Sequence, residues 1–190
     1  MTAPTNETPS DGTLTQDDLA AALSHFWHPV CRTDEVADDR PLAVRLLDRE
    51  LAVARLGDGS WSVLDDRCLH RSARLSVGEV DGCEVRCAYH GWTWGADGRC
   101  TSIPSMPDRP IPERARIGSH AVQERYGLVW VNLSVDASSG PEASPVPLPR
   151  WSATDEPTQH ALAGEPYVWP VGAPRRVENF FDLAHFAWVH

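Results

Sequence analysis

The sequence predicts an all-β module followed by a shorter segment of strand and helix. Short β-rich runs alternate with turns over residues 42–133. A stretch with four prolines follows over 136–149, and the apolar run 175–190 comes last. Alternation of short runs with Gly- and Asp-containing turns is typical of antiparallel sheets, whereas a long apolar run is typical of a packed helix.

The predicted strands are runs of apolar and β-branched residues that are bounded by glycine-containing turns. They cover residues 42–47, 51–56, 61–64, 84–87, 93–94, 121–125 and 128–133 in the module, and 167–171 after the proline-rich stretch. A short helix is predicted over 15–23, with Thr15 at its N-cap and Asp17 and Asp18 in its first turn.

Four regions follow from these patterns. Residues 1–22 form a mobile tail and the short helix, and 23–134 form the β module. Residues 135–165 form a proline-rich linker, and 166–190 begin a second domain.

One pattern inside the β module carries chemistry. Cys68 and His70 enclose one residue, and after sixteen further residues Cys87 and His90 enclose two. Two thiolates and two imidazoles can therefore meet at one metal centre. Zinc accepts such a ligand set, but its usual spacing puts both cysteines in one knuckle. One Cys and one His in each half-site suit a two-iron cluster in which one iron takes both thiolates and the other both imidazoles.

The sequences around these four residues resemble the cluster loops of Rieske [2Fe-2S] proteins. They read Cys-Leu-His-Arg at 68–71 and Cys-Ala-Tyr-His-Gly-Trp at 87–92. Respiratory members of that family carry a further cysteine in each loop, and the two form a disulfide. This chain has Ala73 and Tyr89 instead, so the resemblance is to the oxygenase-type domain. It implies that Cys68, His70, Cys87 and His90 hold the cluster.

A second pattern lies in the final apolar run, where the few polar residues include Asp182, His185 and His190. On a helix, Asp182 and His185 are about 60° apart, but His185 and His190 are about 140° apart. A straight helix does not aim both imidazoles at one ion, so we expect it to bend or unwind after His185. Taken alone, these histidines are also compatible with ordinary packing in an apolar helix.

Together with the first pattern, this segment resembles the mononuclear iron motif of Rieske non-haem iron oxygenases. The resemblance implies an all-β Rieske domain followed by the start of an α+β helix-grip catalytic domain. It implies that His185 and His190 bind Fe(II), and that Asp182 couples the iron to a cluster histidine of a neighbouring subunit. The family's third, carboxylate ligand lies further downstream, so we expect this chain to be truncated and inactive alone.

The resemblance also implies function and partners. The oxygenase component passes electrons from the cluster to the iron, which activates O2 to hydroxylate or demethylate an aromatic or similar small organic substrate. The sequence of the motif resembles the O-demethylating and hydroxylating monooxygenase branch more than the ring-dihydroxylating one. A separate NAD(P)H-dependent reductase, a possible ferredoxin and a homotrimer are implied as partners. The alternative is a stand-alone Rieske ferredoxin-like electron carrier.

Composition restricts the remaining possibilities. The net charge of −10 argues against a nucleic-acid partner. No apolar run is long enough to cross a membrane, and no secretory signal is visible, so a cytoplasmic location is predicted.

Overall fold

The computed structural model describes residues 15–152, 158 and 168–185. The predicted tail over 1–14 and the candidate ligand His190 lie outside the described residues. By its internal contacts the chain divides into two compact units, Met1–Arg150 and Trp151–His190. The first unit contains the β module.

The β module contains three antiparallel sheets. The first has the order β1 (His28–Arg32), β10 (Leu128–Asn132) and β9 (Ala121–Arg125). The second has the order β2 (Leu42–Leu46), β3 (Arg49–Arg55) and β4 (Trp61–Asp65). The third has the order β5 (Glu79–Asp81), β6 (Glu84–Arg86), β7 (Thr93–Gly95) and β8 (Cys100–Ser102). The predicted all-β fold class is confirmed.

The helical elements are short and lie outside the sheets. The described residues contain two α-helices, α1 (Gln16–Leu23) and α2 (Ala173–Phe181). Single 3₁₀ turns cover Thr33–Glu35, Leu75–Val77, Ala137–Ser139, Pro141–Ala143 and Leu183–His185. Helix α1 begins as predicted, because the Thr15 hydroxyl accepts from the Asp18 amide at 3.1 Å and Asp18 accepts from the Thr15 amide at 3.0 Å.

Three strands were not predicted, and each has a local reason. Strands β5 and β8 have three residues each, and only one residue in each is apolar, so neither forms a visible apolar run. Strand β1 contains Pro29, which argues against a strand in sequence reasoning. It is tolerated because β1 is an edge strand and its register shifts between Pro29 and Cys31.

Strand β3 separates two parts of the core. Its central residues are almost fully buried on both faces of the sheet. Leu51 and Val53 pack into an apolar cluster with Val129 and Val131 of the first sheet. The alternate residues, Ala52 and Ala54, face a second cluster that contains Cys68, Cys87 and Trp94. The period of two along β3 thus places one complete apolar layer beneath the candidate metal ligands.

The predicted linker is in fact packed against the β module as far as Leu148. Val135 and Leu148 are buried in a cluster with Trp27 and Trp130. The Trp27 indole also donates to the carbonyl of Val146 at 2.9 Å. Apolar residues that flank the prolines bury against the two tryptophans and hold this part of the segment in place.

The predicted strand over 167–171 is not seen in its described part. Residues 168–171 have an irregular backbone, and Val168 is almost fully exposed. A strand needs a neighbour for its main-chain hydrogen bonds, and no strand pairs with this segment in the part of the chain that the structure describes. None of the helices in the described ranges is both long and apolar enough to cross a bilayer.

Candidate metal centre

The two Cys/His loops have the same pattern of backbone hydrogen bonds. In the first loop the Cys68 amide donates to the Ala73 carbonyl at 2.8 Å, and the Ser72 amide donates to the Cys68 carbonyl at 2.9 Å. In the second loop the Cys87 amide donates to the Trp92 carbonyl at 2.9 Å, and the Gly91 amide donates to the Cys87 carbonyl at 3.0 Å. Each cysteine therefore lies at the base of an equivalent tight turn.

Each turn also closes through a residue with a left-handed backbone. Ser72 has φ +55° and Gly91 has φ +70°, and each stands four residues after its cysteine. Glycine adopts this conformation without strain, whereas serine does so at a cost. The equivalence of the two loops was not predicted, since no sequence pattern links Ser72 with Gly91.

The two thiols are buried side by side. Cys68 and Cys87 are 2% and 3% exposed, and both belong to the apolar cluster beneath the loops. Burial raises the pKa of the Cys68 thiol to about 11. The His70 amide lowers this pKa by donating to the sulfur, whereas the nearby Cys87 raises it further. A thiol must lose its proton to bind a metal, so metal binding here releases protons and becomes more favourable as pH rises.

The two imidazoles lie together on the exposed side of the loops. The ring centroids of His70 and His90 are 4.4 Å apart, and the rings meet edge to face. Both residues are exposed. Partial desolvation, followed by the nearby His90 and Arg71 charges, lowers the pKa of His70. A lowered pKa favours the neutral imidazole, which is the form that binds metals.

Two tryptophans support the loops from the inside. The indole of Trp92 stacks on His70, with centroids 4.9 Å apart and planes 4° apart. Trp94 lies deeper, at 6.1 Å from Trp92, and is fully buried. Its indole nitrogen has no hydrogen-bond partner among the described residues, although it lies close enough to Cys68 to lower the pKa of that thiol.

These features fit a [2Fe-2S] cluster. The two buried thiols would provide one pair of ligands and the two exposed imidazoles the other, and the buried Trp94 indole shares the apolar cluster of the thiols. In the described ranges, no three His, Cys, Asp or Glu side chains converge on a point that could hold a single ion. A two-iron cluster takes two protein ligands at each iron and does not require such a group.

Sequence reasoning missed the residues that clamp the first loop. Asp66 is 4% exposed, and its carboxylate accepts from the Ser76 amide at 2.7 Å and from the Ser76 hydroxyl at 2.6 Å. Its own amide donates to the Glu50 carbonyl of β3 at 2.9 Å. The two ends of the loop are thus joined to each other and to the sheet. An acidic residue two positions before Cys68 was the available signal.

The second motif is only partly described. Helix α2 ends at Phe181, and Asp182 leaves the helical conformation with φ −82° and ψ 81°. His185 follows in a separate 3₁₀ turn, and its Nδ1 hydrogen-bonds to the Asp182 carbonyl. The helix is therefore already interrupted before His185, and the predicted bend after His185 lies outside the described residues. An imidazole that donates through Nδ1 keeps Nε2 available for a metal.

The carboxylate of Asp182 also lies near His185, with Oδ2 3.9 Å from Nδ1. The predicted convergence of His190 with His185 lies outside the described residues. The two motifs lie in different compact units of the chain, the first in Met1–Arg150 and the second in Trp151–His190.

The chain belongs to the Rieske [2Fe-2S] domain family, whose sequence model matches residues 26–121. The predicted family is thus confirmed, and with it the [2Fe-2S] cluster as the cofactor of the β module. The matched segment contains both Cys/His loops.

The most similar proteins include two oxygenase relatives from Pseudomonas putida. Methylxanthine N1-demethylase NdmA is 42% identical over 175 residues, which are 88% of this chain and 47% of the relative. Methylxanthine N3-demethylase NdmB is 39% identical over 181 residues, which are 88% of this chain and 48% of the relative. The solved structure of NdmA superposes with a TM-score of 0.79 at 41% identity and covers 93% of this chain and 52% of NdmA. The chain spans about half the length of these relatives.

Proposed function

We propose that this chain is the cluster-bearing part of a Rieske-type non-haem iron oxygenase. The single observation that supports this most strongly is the pair of equivalent loops that bury Cys68 and Cys87 and expose His70 and His90. A bound cluster supplies one-electron transfer, and the exposed imidazoles are the side from which an electron donor or acceptor can approach. The buried thiols hold the other edge away from water.

The proposed reaction is demethylation or hydroxylation of an aromatic or similar small organic substrate. The relatives NdmA and NdmB are named as N-demethylases, and a Sphingobium O-demethylase oxygenase subunit is 31% identical over 179 residues. Demethylation takes one O2, two electrons and two protons, and it releases formaldehyde and water. The substrate class is therefore a methylated aromatic or heteroaromatic compound, with methyl on nitrogen or oxygen.

The proposed mononuclear site uses His185 and His190, with Asp182 as the residue that couples it to the cluster. The turn at Asp182 supports this, because it fixes His185 through Nδ1. The iron would supply oxygen activation, and its third ligand would be a carboxylate in a longer form of the protein. Binding by two histidines alone should be weak.

The proposed partners are an NAD(P)H-dependent reductase, with or without a ferredoxin, and further copies of the same chain in a homotrimer. A P. putida oxidoreductase, NdmD, is 37% identical over 108 residues, which shows that related sequence occurs in an oxidoreductase as well. We also propose a cytoplasmic location, in keeping with five cysteines that form no disulfide.

The cluster assignment is tested by reduction of anaerobically purified protein. We expect the EPR signal with a low average g value that a mixed Cys/His-ligated cluster produces. Replacement His70→Cys should shift the spectrum towards an all-thiolate cluster, whereas His28→Cys, on β1, should leave it unchanged. One zinc per chain without iron would contradict the assignment, and an unchanged spectrum in His70→Cys would remove His70 as a ligand.

A second experiment separates the oxygenase from a stand-alone Rieske electron carrier. A carrier has no use for Asp182, His185 and His190, which favours the oxygenase. Titration with Fe(II) should show weak binding to this chain and tighter binding to a version extended through the same reading frame. His185→Ala in the extended protein should remove the tighter site. Equal affinity of the two proteins would mean that no downstream ligand completes the site.

A further inference from the structure

The indole of Trp94 is an unsatisfied donor in the centre of the core. The residue is 0% exposed, and Nε1 has no acceptor among the described residues. In three other tryptophans the indole N–H donates to an acceptor. Trp27 donates to the Val146 carbonyl at 2.9 Å, Trp61 to Glu124 at 2.8 Å, and Trp130 to the Arg125 carbonyl at 3.1 Å. A buried N–H without an acceptor costs about 1–3 kcal/mol, so its presence calls for a partner.

The position of Trp94 limits what that partner can be. It lies on β7, directly after the second loop, and pairs with Val85 on one side and Cys100 on the other. It shares an apolar cluster with Cys68 and Cys87. Apart from the indole nitrogens, the side-chain atoms in that cluster are carbon and sulfur. The acceptors that the cluster offers are therefore cysteine sulfurs, which accept more strongly as thiolates.

Four backbone donors of the loops are already used within the turns. The amides of Cys68, Ser72, Cys87 and Gly91 all donate to carbonyls within their own turns. They cannot also serve the sulfur atoms at full strength. Two buried side-chain donors among the described residues have no partner, the Ser62 hydroxyl and the Trp94 indole, and Trp94 belongs to the apolar cluster that contains Cys68 and Cys87.

We propose that Trp94 is a positioning and tuning residue, whose indole N–H donates to the Cys68 thiolate or an adjacent cluster sulfide and raises the reduction potential. A donor to sulfur stabilises the form of the cluster with more negative charge, which is the reduced form. Trp92 has a different task, because its ring stacks on His70. The proposal rests on the assignment of the cluster to these loops.

The test is a redox titration of the full chain with its cluster, followed by EPR. Trp94→Phe keeps an aromatic ring and removes the N–H. We expect its potential to fall by about 59 mV, which corresponds to a tenfold change in a one-electron equilibrium. Trp130→Phe removes another buried indole donor in a different apolar cluster, and its potential should not change.

A second variant separates the hydrogen bond from packing. Site-specific replacement of Trp94 by benzothienylalanine keeps the shape of the two rings and exchanges the N–H for sulfur. It should lower the reduction potential as Trp94→Phe does. If Trp94→Phe does not retain its cluster, the potential of this analogue tests the hydrogen bond instead. An unchanged potential in the analogue at full cluster content would overturn the proposal, and so would an equal fall in Trp130→Phe. Failure of the cluster assignment itself would show separately, as a missing mixed-ligand signal in the unsubstituted chain.

Discussion

At the scale of single residues, the two loops show how a metal site depends on a few backbone conformations. Both turns need a left-handed residue four positions after the cysteine, and the chain uses glycine in one and serine in the other. Gly91 has a second constraint, because a Cβ there would lie 3.2 Å from Cγ of Pro104. The second loop is therefore less tolerant of substitution than the first.

Gly91→Ala should destabilise the protein by about 1–2 kcal/mol, since alanine resists a positive φ and meets Pro104. The free energy of unfolding from urea titration measures this. Ser72→Gly is the matched control: it removes strain but gains entropy in the unfolded chain, so the change should be near zero. An equal loss in both variants would mean that the left-handed conformation is not the cause.

At the scale of elements, each loop is held by what flanks it. The second loop connects β6 and β7, whose pairing brings its ends together. The first loop runs from β4 to the turn Leu75–Val77, where no strand pairing closes it. The Asp66 carboxylate replaces that pairing through its two bonds to Ser76.

Asp66→Ala should therefore weaken the first loop by about 2–3 kcal/mol and cause faster loss of the cluster, because the buried Ser76 amide loses its acceptor. Ser76→Ala loses only the hydroxyl bond and should cost about 1 kcal/mol. Urea unfolding and the decay of cluster absorbance measure the two effects. If Asp66→Ala retained its cluster as long as the unsubstituted protein, the clamp would have no role in the site.

At the scale of the whole molecule, the segment before β9 connects the sheets of the β module. Gly118 accepts from the Asp65 amide at 2.8 Å, and the His120 amide donates to Val63 at 2.9 Å. The chain then continues as β9 in another sheet. The His120 imidazole, 6% exposed, meets Oδ1 of Asp65 at 2.9 Å, so one side-chain pair reinforces this junction.

Stability should depend on pH through this pair. The hydrogen bond from His120, then its charge and that of Arg49, lower the pKa of Asp65 against the opposing effect of burial. A carboxyl with a lowered folded pKa contributes stability above its unfolded pKa of about 3.9, and this is lost as pH falls through the folded pKa. Asp65→Asn should cost about 1 kcal/mol near neutral pH, a modest value because Asp65 is 41% exposed to solvent.

Urea titrations of both proteins at several pH values between 7 and 3 give the comparison. The difference between them should shrink as the pH falls, because the carboxyl of the unsubstituted protein becomes neutral like the amide. Loss of the cluster at low pH affects both proteins and cancels in the difference. A difference that stays constant down to pH 3 would contradict the assignment.

Much of this protein was open to prediction from the sequence, because its strongest signals are local. Strand β9, for example, has the predicted bounds. The Cys/His words at 68–71 and 87–92 indicated the family, since a fixed spacing of ligands needs no knowledge of the fold. Signals that need a partner were missed: the three-residue strands β5 and β8 exist because neighbours pair with them, and Pro29 is acceptable because β1 lies at an edge.

The sequence by itself determined the ligand types and the all-β class, because thiol and imidazole chemistry and period-2 alternation belong to short stretches of chain. Only the tertiary structure decided which side of the site is exposed to solvent. It placed Cys68 and Cys87 at 2–3% exposure above one apolar layer, and it left His70 and His90 in solvent. It also buried the Trp94 N–H in the same cluster as the thiols, without an acceptor in the part of the chain that the structure describes. Burial and hydrogen-bond satisfaction depend on residues far apart in the chain, and no local pattern contains them.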